Sequence, residues 1–327
     1  MARKGQKKSS LWILLSILIL LSIISIGVGV EDFEYAGLFT GNGLETFLLS
    51  ESRFPRTISI IITGAGLSMA GLIMQTVTNN RFVSPSTVGT MEWCRMGVMI
   101  AILVAGSSST SLKVGLAFSI SLVGTLLFMV LLQSMKVRNA LIVPLIGMMM
   151  GNVVSSITTF FAYQYDIIQN MSSWLQGNFS LITQGRYEML YFGIPCIIII
   201  YFYANRFTIA GMGEEFSTSL GLNHKQIVFV GLVIVAFLTS LIVVTIGSIP
   251  FIGLIVPNLV SMYHGDHIKG TLLETAILGA IFVMVCDLIG RTIIAPYEMS
   301  ISVVVSVIGS ILFLILLFWK QKKGGVS

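Results

Sequence analysis

Charge is the scarcest thing in this chain. Lys, Arg, Asp and Glu together make up 10% of its 327 residues, against about 25% in an ordinary soluble domain. So few charges cannot cover a soluble surface of this size. Cysteine is nearly absent as well. Cys94, Cys196 and Cys286 are scattered and odd in number, which gives neither a disulfide framework nor a metal-ligand spacing. No G-x-x-x-x-G-K-[ST] phosphate loop occurs, so any work driven by nucleotide is done on another chain. These absences exclude a soluble enzyme, a disulfide-stapled secreted domain and a self-contained ATPase.

What is present is apolar: 55% of residues are hydrophobic and the mean hydropathy is +0.94. A bilayer-spanning helix needs about 20 apolar residues. The sequence holds about ten such segments, at roughly 11–30, 57–77, 88–105, 112–132, 141–163, 187–205, 227–247, 249–263, 271–292 and 300–319. The expectation is an all-α polytopic membrane protein in which 1–327 form one transmembrane domain. The first span, 10–30, follows Arg3, Lys4, Lys7 and Lys8. Its apolar run is about twice a signal-peptide h-region and no A-x-A site follows, so it reads as an uncleaved span.

The net charge of +5 raises the question of nucleic acid, but most basic residues sit at the ends of apolar segments. With a cytoplasmic N-terminus, the inner side holds Arg3, Lys4, Lys7, Lys8, Arg81, Arg95, Lys136, Arg138, Arg206, Lys225, Lys269, Lys320, Lys322 and Lys323. The outer side holds Arg53, Arg56, Lys113, Arg186 and Arg291. Fourteen against five follows the positive-inside rule and places both termini in the cytoplasm. The longest inner connection is then 206–226.

Several stretches carry more than topology. Gly64-Ala65-Gly66-Leu67-Ser68-Met69-Ala70-Gly71 is dense in small residues, which lets helix backbones approach closely. Gln75, Asn79 and Asn80 are costly in hydrocarbon and should face protein or an aqueous path. In Gly247-Ser248-Ile249-Pro250-Phe251-Ile252-Gly253-Leu254-Ile255-Val256-Pro257-Asn258, the prolines and glycines interrupt helical bonding at membrane depth. Either this is a simple hairpin between spans, or it is a discontinuous helix of a transporter, with Pro250, Gly253 and Pro257 as its breaks.

Read together, these motifs resemble the FecCD family, the permease subunits of ATP-driven importers for iron–siderophores, haem and cobalamin. The matching patterns are R-x-P-R at Arg53, G-A-x-L-x-x-A-G-x-x-x-Q at Gly64, N-x-x-x-x-P from Asn80 to Pro85, and G-E-E-x-x-x-x-L-G at Gly213. They continue with F-I-G-L-I-V-P at Phe251, G-D-H at Gly265, D-x-x-x-R at Asp287 and P-x-E at Pro296. The resemblance implies a ten-helix FecCD-type permease in a bacterial cytoplasmic membrane. It implies two permease subunits around a shared path, two cytoplasmic ATPases that hold the ATP and magnesium, and an outer siderophore-binding protein. No cofactor is expected on this chain itself.

Residue by residue, the resemblance makes Gly213, Glu214, Glu215, Leu220 and Gly221 the cytoplasmic segment that couples to the ATPase. A plain solvated loop is the alternative, although Phe216, Leu220 and Leu222 suit a docking surface better. It makes Arg53, Arg56 and Arg291 receptors for acidic residues of the binding protein, where exposed guanidiniums would serve as carboxylate forks. The alternatives are snorkelling for Arg53 and Arg56 and an ion pair with Asp287 for Arg291. It makes Asn79, Asn80, Val83 and Pro85 the inner gate. Met148 and Asn152 occupy the second inner position and would line the cavity. Methionines more often pack than ligate, and His264 with His267 lack the ligand count of a metal cage, so no metal site is expected.

Three departures from the family pattern stand out. Asn258 replaces a usual His, Ser261 a usual Arg, and Met91-Glu92-Trp93-Cys94-Arg95 a usual small-residue run. They resemble the subgroup that serves catecholate-type siderophores such as petrobactin. Glu92 and Arg95 lie three apart and can pair on one helix face. The expected function is import of a ferric siderophore, with haem or cobalamin as alternative cargo. An ion-coupled secondary transporter is the alternative from another class. It would need midplane carboxylates, of which only Asp287 comes near.

Overall fold

The computed structural model describes residues 2–29, 43–87, 89–106, 108–134, 142–182, 187–265 and 268–324. Among them the regular secondary structure is helical; one isolated bridge, Gln176 to Ser248, is the sole β pairing. The helices are α1 Ala2–Gly27, α2 Gly43–Leu48, α3 Phe54–Val77, α4 Thr90–Ala105, α5 Thr110–Ser134, α6 Ile142–Gln164 and α7 Ile168–Leu175. They continue with α8 Gly193–Ala210, α9 Glu214–Ser219, α10 His224–Thr245, α11 Ile252–His264, α12 Ile268–Thr292 and α13 Ile301–Gly324.

Each of the ten expected apolar segments contains a helix. Among the described residues, eight helices are long and apolar enough to cross a membrane. The other two, α4 and α11, have 16 and 13 residues. At 1.5 Å per residue they reach about 24 and about 20 Å, short of about 30 Å of hydrocarbon. α2, α7 and α9 are too short to announce themselves as apolar runs.

The helix that begins with R-x-P-R is the centre of the molecule. The most apolar window of the α2–α3 run is 89% buried, while that of α1 is 11% buried. α3 therefore forms the core, and α1 lies at the periphery with its large apolar side chains outward. The small residues of α3 make this possible. A Cβ on Gly64 would overlap the Gly279 carbonyl of α12, and one on Gly71 would overlap the Gly253 carbonyl of α11. Between these crossings the Ser68 hydroxyl donates to Gly64 O at 2.6 Å and to Thr275 O of α12 at 3.1 Å. Ile73, Met74, Phe207 of α8 and Leu238 of α10 close one core cluster around α3.

The chain between α10 and α11 is not helical. Gly247 has φ +107° and Phe251 has φ +67°, values that reverse the chain direction. Its polar backbone groups are met by a second non-helical stretch just after α7. Ser248 N donates to Leu175 O at 2.9 Å, and Asn178 N donates to Ile246 O at 3.2 Å. The first turn of α13 ties the two together: the Ser302 hydroxyl donates to Ser248 O at 2.6 Å and accepts from Gly177 N at 2.8 Å. Non-helical backbone is stable at such depth only when satisfied this way.

Candidate functional site

Three regions carry the residues singled out from sequence. The first is the connection between α8 and α10. α8 continues to Ala210 and α10 starts at His224, so it is tighter than the expected 206–226. Gly213, at φ +106°, is the N-cap of α9, and Gly221, at φ +75°, follows its end. Ser217 is fully buried beneath α9 and locks it in place. Its hydroxyl donates to Gly213 O at 2.8 Å and lies 3.3 Å from His224 Nδ1. The opposite face presents Met212, Glu214, Glu215, Phe216 and Leu220 to the outside. An acidic first turn suits a helix N-terminus, and exposed Met, Phe and Leu around it form an apolar knob. Beneath it, Gly211 sits against Thr76 at the end of α3. The knob is thus mounted directly on the central helix.

The second region gathers the three arginines. Arg53, Arg56 and Arg291 are only 8, 9 and 6% exposed, so the exposed guanidiniums expected from sequence are not what the fold presents. Arg56 Nη1 donates to both Glu298 carboxylate oxygens, at 3.0 and 2.9 Å, and Nη2 reaches Asp287 at 2.8 Å. Arg291 pairs with the other Asp287 oxygen at 2.7 Å, the ion pair anticipated one helical turn apart. Arg291 also donates to Ser25 O at 2.9 Å and Val28 O at 2.7 Å, and Arg53 donates to Val28 O. Carbonyls at a helix C-terminus have no intrahelical partner and carry partial negative charge. The end of α1 is therefore a natural seat for two guanidiniums. The D-x-x-x-R and P-x-E motifs thus join one network with R-x-P-R, a link that sequence spacing alone did not reveal.

The third region holds the residues expected along the path. Gln75 is buried, and its amide donates to Gly253 O at 3.1 Å and Leu254 O at 3.3 Å. The reason is Pro257, which lies inside α11. It has no N–H for the carbonyl four residues earlier, and Gln75 supplies a substitute donor. The Asn258 amide donates to Leu254 O at 2.7 Å and to Arg81 O at 2.8 Å, tying α11 to the turn after α3. Of the three expected breaks, Pro250 lies in the non-helical link, while Gly253 and Pro257 sit within α11.

Asn79 adopts φ +48° just after α3, and Asn80 Oδ1 accepts from Phe82 N at 2.9 Å. Val83 is wholly buried, and Pro85 O accepts from the Thr90 hydroxyl at 2.6 Å. The large apolar side chain left exposed in this turn, beside the exposed Asn79, is Phe82, in edge-to-face contact with Phe313 of α13 at 6.3 Å. It escaped the sequence reading because one aromatic in a loop has no periodic signature. Met148 and Asn152 are exposed on α6.

The pair Glu92 and Arg95 forms as its spacing suggested, at 3.5 Å. Its depth differs from expectation. Cys94, next to Arg95, lies 3.9 Å from the Ser240 hydroxyl and accepts from Ser121 at 3.4 Å. Ser121 is the twelfth of 25 residues in α5. Arg95 therefore lies beside the middle of the bundle, not at its inner side. Glu274 is a second carboxylate within a helix, buried and paired with His264 at 2.9 Å. With Glu92 on the helix that packs against the middle of α5, the expectation that only Asp287 approached the midplane is corrected. His267 falls outside the described residues.

Comparison with known proteins gives a consistent result. The model of the FecCD transport family matches residues 14–319. The petrobactin import system permease protein YclN of Bacillus subtilis is 51% identical over 93% of this chain and 96% of its own. The petrobactin import system permease protein FatD of Bacillus anthracis is 38% identical over 94 and 90%. The ferric-anguibactin transport system permease protein FatD of Vibrio anguillarum is 36% identical over 89 and 92%. A solved structure described as an inward-facing metal-chelate type ABC transporter aligns with TM-score 0.84 at 23% identity, covering 94% of this chain and 98% of that one. At that identity it speaks for the fold alone.

Proposed function

The chain belongs to the FecCD transport family, and from that membership we propose that it is the permease subunit of an ABC importer for a ferric siderophore of petrobactin type. The observation that carries the reading is the 51% identity to a petrobactin permease across nearly the whole of both chains. The fold supplies the parts such a permease needs. It has apolar helices for a multi-pass membrane protein, an exposed knob at α9 and a polar break beside its centre.

In this reading the chain makes and breaks no covalent bond. It works with a second permease subunit, two cytoplasmic ATPases that bind ATP and magnesium, and an outer binding protein, in a bacterial plasma membrane. Glu214, Glu215, Phe216 and Leu220 seat on the ATPase, and displacement of α9 passes through Gly211 and Thr76 to α3. Arg53, Arg56 and Arg291 receive the binding protein. Because Asp287 and Glu298 already hold two of these guanidiniums, incoming carboxylates exchange with internal ones. That suits docking that must also reverse. Phe82, Val83 and Pro85 close the inner end.

The test is uptake of radiolabelled ferric petrobactin by a strain deleted for its own permease and complemented with this chain, its ATPase and its binding protein. Energy-dependent accumulation is expected. Import of haem or cobalamin but of no ferric siderophore would overturn the cargo assignment.

A further inference from the structure

A charged pair at membrane depth needs a reason, since each charge is expensive there and normally marks a functional path. Glu92 and Arg95 stand on the wall of a cavity of about 410 Å³, within the range of small-ligand sites, about 300–1,000 Å³. Polar groups share its lining with Leu175 and Val243. Gln176, Ser248, Ser302 and Ser306 line it, with Pro250 of the non-helical link. Two unwound backbone stretches meet at this spot, held by Ser302.

The two charges are not equivalent. One Glu92 carboxylate oxygen is wholly enclosed and has no hydrogen-bond donor; its nearest cation is Arg95 at 3.5 Å. The Arg95 side chain is 39% exposed, against 25% for Glu92. A pair built only to hold two helices together would be closed and bidentate, and would link different elements. This one sits on a single helix at a loose distance, with the guanidinium facing open space. Glu92 holds Arg95 in place and offsets its charge, and the remaining guanidinium N–H donors are free to meet a ligand.

We propose that Glu92 and Arg95 form an anion-contact site on the transport path, in which Arg95 donates to the anionic face of the passing ferric chelate and Glu92 positions it. The inference rests on the ferric-siderophore reading above. A ferric ion enclosed by catecholate and hydroxycarboxylate groups carries net negative charge, and a guanidinium fork matches carboxylate and catecholate oxygens. Near-neutrality of the pair keeps the contact weak, as passage requires: favourable enough to enter, weak enough to leave.

The test compares wild type, Arg95→Lys, Arg95→Gln and the shape-conserving double variant Glu92→Gln/Arg95→Gln in the reconstituted importer. Labelled ferric petrobactin and a neutral ferric hydroxamate chelate, each presented at the outer face, are the probes. Insertion is checked by immunoblot. Arg95→Gln and the double variant should lower the rate for the anionic chelate relative to the neutral one by about tenfold, equivalent to about 1.4 kcal/mol. Arg95→Lys should recover most of that ratio. A double variant that inserts and carries the anionic chelate at the wild-type rate would overturn the proposal. So would equal loss for both chelates, which is what a merely structural pair would give. Failure of the wild type to import any ferric chelate would instead sink the underlying cargo assignment.

Discussion

Asp287 sits between two guanidiniums, with Arg56 at 2.8 Å and Arg291 at 2.7 Å, and its side chain is 3% exposed. At an effective dielectric of about 20, unit charges about 3 Å apart attract by roughly 5–6 kcal/mol before desolvation is counted. Removing one member of such a buried pair costs about 3–5 kcal/mol, because the other charge is left without compensation. Asp287→Asn keeps the shape and removes the charge, leaving Arg56 and Arg291 to share Glu298. Arg56→Met leaves Asp287 with Arg291 but strips Glu298 of its guanidinium. The double variant leaves one guanidinium and one carboxylate, so charge balances again. Its destabilisation should fall short of the sum of the singles by at least about 1 kcal/mol, within the range of coupling between contacting residues. The four proteins would be compared by unfolding in mixed micelles of increasing denaturing detergent. Ser25→Ala, which removes one hydroxyl contact with Arg291, serves as a control worth about 1 kcal/mol. Additivity within about 0.5 kcal/mol, or an Asp287→Asn cost no larger than that of Ser25→Ala, would refute the network as the clamp on the ends of α1, α3 and α12.

Replacing Glu214 and Glu215 with Lys should leave insertion intact, since both side chains are exposed and Ser217 holds α9 from below. It should also abolish uptake while ATP hydrolysis persists; unchanged uptake would remove α9 from the coupling role. Gly71→Ala should destabilise by about 1–3 kcal/mol or more, because its Cβ has the Gly253 carbonyl in its way. A variant that unfolds at the wild-type midpoint would show that the α3–α11 crossing is looser than described.

Much of the fold was legible because hydrophobic runs of membrane length need no tertiary information to be recognised. All ten runs contain helices. α7 escaped because eight residues that bury only Met171 and Leu175 look like any polar connection. The roles of single polar residues were less legible. Gln75 was expected to face the path or other protein; its actual task, meeting the Gly253 carbonyl freed by Pro257, depends on a partner 178 residues away. The arginines were located in sequence, but their burial was not, because the α1 carbonyls and Glu298 approach them only after folding.

The sequence by itself determined the solvent, the class and the family. Charge scarcity and run length are properties of composition, and motif order survives without coordinates. Only the tertiary structure decided depth and partnership. Arg95 counted as an inner-side charge until its helix was seen to pack against the middle of α5. Glu92 had no surroundings until Ser248 and Ser302 closed around a shared cavity. The physical reason is that the energy of a charge depends on what lies within a few ångströms of it, and in a bundle those neighbours come from segments far apart in the chain.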